Sequence, residues 1–411
     1  MLTLKLITLL PAALLATSGA AGVSAPGPSQ QNSTTIPYST RMLSSIILRQ
    51  QGLVSSGQPT STLESGLIAL AIQSWLSLYA SPTTSTSTNG QSQNGLSGTF
   101  SDYVDSVLAS LSTTASFTNV TQAALLPLDR LTVAQYDGTV SFLPFMASQP
   151  TSFLPSDSLL QIQLLYTNAA HPSGLLAHGY DASKTAVWAN NATGASPYVW
   201  GRSMGWYLTG LVNAWEVLTT SLTDADGNSV PNDDDDDDDD DDVASQCKAV
   251  AGGCDALVAA IQAQFTQLVS VLVRYADPST GAWWQLPTLP GAPGNYLESS
   301  STALFTFAIL KGLRLNLLPS SNSSSSVGSN TNTTTTELLK ATALRAYKYT
   351  AEAFVVDYGN GTLGYNNTVT VCSLNSTATY EYYVNQPINF NAPLGAAAFS
   401  LASLEVERLG L

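Results

Sequence analysis

Apolar residues recur at three- and four-residue steps along most of the chain, and stretches of Ser, Thr, Gly and Asn separate the periodic segments. YSTRMLSSIILRQQ (38–51), LESGLIALAIQSWLSLYA (63–80) and SDYVDSVLASLS (101–112) each carry such a stripe, which predicts three helices. The pattern resumes in residues 157–170, 203–222, 254–276, 299–318, 337–355 and 392–409. No run of alternating apolar and polar residues predicts a sheet. The spacing therefore predicts one all-α domain of helical hairpins over residues 37–411.

Composition changes that picture at four places. Residues 1–20 read as a secretory signal peptide, with Lys5 ahead of an apolar stretch and small residues near Ala20. A flexible segment, 21–36, follows, and disordered inserts are expected at the aspartate run 233–242 and the Ser/Thr/Asn-rich stretch 320–336. Eight Asn-x-Ser/Thr sequons, from Asn32 to Asn375, suit an exported, extracellular glycoprotein. Cys247 and Cys254 flank a short loop and are expected to form a local disulfide, which leaves Cys372 as a buried thiol.

Charge excludes several partners. The formal charge is −15, but the ten consecutive aspartates account for most of it. Only 14 lysines and arginines remain to oppose it, so no basic patch for nucleic acid is available. No later stretch is uninterruptedly apolar for the length of a membrane span. With two histidines and no Cys-x-x-Cys pair, a metal site has little to be built from, and no cofactor is expected.

Candidate chemistry sits between and at the starts of the helices. In SPYVWGRSMGWYLTGLVNAWEVL (196–218), Met204, Tyr207, Leu208, Leu211 and Trp215 form a core stripe. Arg202 and Trp206 share another face, close to a helix N-terminus that favours negative charge. Arg202 either meets an anionic ligand there or pairs with a structural carboxylate. His178, near Tyr180 and Asp181, is equally open to a structural or a functional reading. Asp129 and Asp137 are the notable acids, and Asp137 is either an N-cap or a proton donor with a raised pKa. Aromatic loops, YDASKTAVW, GAWWQLPTLPGAPGNYLE and TYEYYVNQPINF, suit sugar-binding walls as well as helix-end seals.

Three motifs, W-G-R-S-M-G-W-Y, G-N-Y-L-E-S-S and Y-E-Y-Y, with AHGYDASK before them, resemble the unsaturated rhamnogalacturonyl hydrolases of glycoside hydrolase family 105, which is related to family 88. The resemblance implies an (α/α)6 barrel with a pocket at one end. It also implies hydration of the C4=C5 bond of an unsaturated uronic acid at the non-reducing end of a pectin-derived oligosaccharide. By this resemblance Asp137 is the general acid and base and Asp129 assists it. His178, Trp200 and Arg202 contact the sugar, and Trp206 lines the wall. The expected protein is a secreted monomer without metal or cofactor. The two aspartates are eight residues apart, whereas the family places a helical hairpin and loop between them. The expected barrel is therefore short of one hairpin, and the alternative function is a catalytically impaired glycan-binding homologue.

Overall fold

Every apolar stripe named above is a helix. The computed structural model describes residues 36–53, 62–80, 90–112, 155–221, 254–318 and 331–411. The helices are α1 (Tyr38–Leu48), α2 (Thr62–Tyr79), α3 (Gly90–Ser112), α4 (Pro155–Asn168) and α5 (Gly201–Ser221). They continue with α6 (Asp255–Leu272), α7 (Ser299–Arg314), α8 (Thr331–Ala353), a one-turn α9 (Tyr380–Val384) and α10 (Pro393–Arg408). Helix α3 starts well before its stripe, because its first turns carry Gly, Gln, Ser and Asn and offer no apolar period to read. Helix α8 likewise begins at Thr331, inside the stretch expected to be a disordered insert.

The helices sort into two kinds by burial. Helices α5, α7 and α10 are buried almost all round over most of their length. Helices α1, α6 and α8 bury one face only, as with Leu257, Ile261, Phe265, Leu268 and Leu272 of α6. Packing follows an outer–inner alternation. Helices α2, α10, α7 and α5 touch in that order, and the outer helices lean on them: α1 on α10 and α2, α8 on α7 and α10, α6 on α5. Helix α3 packs on α2, and α4 on α6.

Small residues let the inner helices approach closely. A Cβ on Gly205 of α5 would stand 2.8 Å from Leu304 Cβ of α7. A Cβ on Gly201 would meet Ser301 Cβ at 2.9 Å. At the far end, cations in the last turn of α7 bind across the ring, where they also offset the helix dipole. Lys311 Nζ lies 2.6 Å from Glu216 of α5, and Arg314 Nε lies 2.9 Å from Glu405 of α10.

The periodicity reading missed the strands. The long connection after α8 folds into two antiparallel pairs, β1 (Val355–Asp357) with β2 (Leu363–Tyr365) and β3 (Thr368–Val369) with β4 (Ile388–Asn389). Strands of two or three residues are too short to show an alternation. Cys254 is in a disulfide and Cys372 is a buried thiol, in accord with the cysteine reading. Cys247 lies outside the described residues, as do the aspartate run and the segment between Ser112 and Pro155.

Candidate active site

The N-termini of α5, α7 and α10 are stitched together by the connections that precede them. Gly201 N donates to the Gln285 carbonyl at 2.8 Å, and Ser299 N donates to the Asn367 carbonyl at 3.1 Å. Tyr365 N donates to Asn391 Oδ1 at 2.9 Å, just ahead of α10. The loops read from sequence as aromatic-rich therefore converge on one end of the inner ring.

Arg202 occupies the first turn of α5 and is only 1% exposed. Its Nε donates to Ser300 Oγ at 2.7 Å. Its Nη2 donates to Glu298 Oε1 at 3.4 Å and also to the Val369 carbonyl. The guanidinium lies 5.3 Å from the Trp200 ring centroid, a cation–π distance. Of the two readings left open for Arg202, the structure supplies the protein carboxylate. Nη1 is the guanidinium nitrogen with no hydrogen-bond partner among the described residues.

Glu298 organises this corner. It is the N-cap of α7, and Oε2 accepts from Ser301 N and Ser301 Oγ, both at 2.7 Å. Oε1 accepts from Val369 N at 3.1 Å. One carboxylate thus serves the helix start, strand β3 and the arginine of the neighbouring helix, with the α7 dipole favouring its charge.

His178 is buried, and its Nδ1 lies 2.7 Å from Tyr383 Oη of α9. Its ring is 4.7 Å from that of Trp200, which in turn meets Trp206 edge to face at 5.8 Å. His178, Trp200, Arg202 and Trp206 are therefore neighbours in space. Asp129 and Asp137 lie outside the described residues.

Asp181 is used locally. Its carboxylate accepts from Ser183 N and Oγ, Thr185 N and Ala186 N at 2.7–2.9 Å. Burial opposes its charge, but these bonds outweigh burial and hold the carboxyl at about 2. It is a loop staple.

Three buried polar atoms beside the cluster have no hydrogen-bond partner among the described residues: Trp206 Nε1, Gln285 Oε1 and Tyr296 Oη. Gln285 donates through Nε2 to the Tyr383 carbonyl at 2.8 Å. Burial pushes the Tyr296 phenol up, and Glu298 adds to the effect while Arg202 opposes it. Unpaired buried polar atoms cost about 1–3 kcal/mol each, and several together suit a polar ligand. Sequence reasoning singled out none of Glu298, Ser300, Gln285, Tyr296 and Tyr383 individually. The available signal was a lone glutamate before three serines at a helix start.

Outer and inner helices in alternation, with loops gathered over the inner N-termini, define an all-α (α/α)6 toroid. The chain belongs to Glycosyl Hydrolase Family 88, whose sequence profile matches residues 157–230 and 257–410. It resembles a glycoside hydrolase from family 105 of C. acetobutylicum ATCC 824, with TM-score 0.60 and 23% identity over 90% of this chain and 99% of that one. A possible member of the GH105 family from Klebsiella pneumoniae superposes with TM-score 0.57 and 13% identity, covering 94% and 96% of the two chains. Protein Atu3128 of Agrobacterium fabrum and the 24.9 kDa protein in picA locus of Rhizobium radiobacter are each 28% identical over 165 residues, 40% of this chain. The match spans 56% of the length of these relatives.

Proposed function

We propose that the protein removes a 4,5-unsaturated uronic acid from the non-reducing end of pectin-derived, rhamnogalacturonan-type oligosaccharides. The observation that carries this reading is the buried cluster at the start of α5. Arg202 is locked by Glu298 beneath the Trp200 ring, with His178 alongside and the Trp206 indole N–H unpaired. An aromatic plane, a fixed cation and donors without partners match a flat ring that bears a carboxylate.

The chemistry is hydration of a vinyl ether. The acid, assigned to Asp137 by the family resemblance, gives its proton to C4 while the ring oxygen feeds electrons toward C5. Water adds at C5, and the carboxylate takes the proton that the water loses. The resulting hemiketal opens to a C5 ketone, and the hemiacetal left at C1 collapses to an aldehyde and the freed sugar alcohol. One water is consumed in all. The dipole of the α5 N-terminus favours the substrate's negative charge. The segment 1–20 and the sequons support export.

The eight-residue spacing of Asp129 and Asp137 favours a second reading, a glycan-binding homologue without turnover. One assay separates the two. The folded protein is incubated with an unsaturated rhamnogalacturonan disaccharide, and loss of the double bond's ultraviolet absorbance is followed. Steady loss that disappears in Asp137→Asn supports hydration by that acid. Binding without absorbance loss moves the protein to the second reading.

A further inference from the structure

A second feature lies on the other side of the strand-like segment that carries Gln285. Trp284 forms an isolated antiparallel bridge with Leu297, and the chain bends at Gln285. Gln285 reaches Tyr383 and Cys372 beside the active-site cluster, while Trp284 turns away from it. There Trp284 helps to line a cleft of about 360 Å³, together with Arg274, Tyr275, Asp277, Pro278 and Pro290. That volume is at the small end of ligand pockets and has room for about one sugar ring.

The lining has a definite chemistry. The indole and phenol rings and two prolines offer flat apolar surface of the kind that the C–H face of a pyranose covers. Arg274 is exposed and has no ion pair or hydrogen bond among the described residues. Asp277, also in the lining, forms no ion pair with it. Asp277 Oδ1 accepts from Ser279 N and Oγ and from Thr280 N and Oγ1 at 2.6–3.1 Å, all within its own turn. The position of Arg274 at the end of α6 also balances that helix's dipole, but a dipole partner needs no aromatic cleft around it. In a chain of formal charge −15, a solvent-facing arginine beside an indole selects for an anionic ligand with a flat face.

We propose that this cleft is a second carbohydrate site, distinct from the pocket, that takes one uronic-acid residue of an acidic oligosaccharide. Trp284 stacks on the ring and Arg274 binds the carboxylate. Only the substrate class rests on the function proposed above; the site works whether or not the pocket turns over. A chain held in the cleft raises the local concentration of chain ends, so long acidic substrates gain apparent affinity that a disaccharide does not.

Calorimetric titration with saturated trigalacturonic acid tests this, since a saturated ligand offers no double bond to hydrate. Arg274→Gln and Trp284→Leu are compared with the unaltered protein, and each variant's thermal midpoint is recorded. The expected result is binding that weakens about tenfold in each variant, and by a similar factor for a neutral oligosaccharide of equal length. Turnover of the unsaturated disaccharide is measured in parallel and stays level in both variants. Absence of binding by the unaltered protein overturns the site, as does binding that both folded variants retain in full. Equal binding of the neutral oligosaccharide overturns the role of Arg274. If the unaltered protein hydrates nothing while both folded variants lose trigalacturonate binding, the proposed activity falls and the cleft stands.

Discussion

The carboxylate of Glu298 and the guanidinium of Arg202 form a buried pair at 3.4 Å, each side chain 1% exposed, that joins the first turns of α5 and α7. Together with Ser300 and the Val369 carbonyl, Glu298 holds the Arg202 guanidinium against Trp200. Neither charge is accompanied by bulk water, so removal of one partner strands the other.

Glu298→Ala is expected to destabilise the protein by about 3–5 kcal/mol, the range for an uncompensated buried charge. Arg202→Met in the same background should recover part of that loss. Denaturant midpoints of the two single variants and the double variant measure the coupling. Additive losses would show that the two groups do not act as a pair.

Tyr383→Phe keeps the ring but removes the hydroxyl 2.7 Å from His178 Nδ1. A loss of about 0.5–1.5 kcal/mol in stability is expected from the lost hydrogen bond. If His178 contacts substrate, the variant also raises KM for the unsaturated disaccharide more than it lowers kcat. Unchanged steady-state parameters in a folded variant would confine His178 to a structural role.

Gly205→Ala pushes a methyl group to 2.8 Å from Leu304 Cβ and forces α5 away from α7. Overpacking of this kind costs about 1–3 kcal/mol. Gly66→Ala on α2 has nothing within 4 Å of the new Cβ and should be neutral or slightly stabilising, since alanine favours a helix. Thermal unfolding of the two variants gives the contrast directly.

Asp181 sets a pH dependence whose sign follows from its lowered value. Its ordinary value is 3.8 and the folded protein holds it at about 2. The unfolded chain therefore takes up the proton first as pH falls, and the stability contributed by the charged carboxylate is lost between about 3.8 and 2. Asp181→Asn should be less stable than the unaltered protein at neutral pH, with the difference shrinking through that window. A constant difference down to pH 2 would remove the carboxylate's charge from the account.

Helix positions were legible in the residues themselves, whereas the grouping of His178, Trp200, Arg202 and Trp206 came from the family resemblance. A buried helix face needs apolar residues every three or four positions, so the stripes of α1, α2, α4, α5, α6, α7, α8 and α10 record it locally. The partners were not legible. Glu298 is 96 residues from Arg202, and Tyr383 is 205 from His178. Hydrogen bonds over such separations leave no period in a single chain, because closure of the ring of helices brings these residues together. The same closure sets Gln285 against Tyr383, while its neighbour Trp284 lines the cleft beside Arg274. Local physics wrote the helices into the sequence, and only the packing of α5 against α7 chose which carboxylate Arg202 would meet.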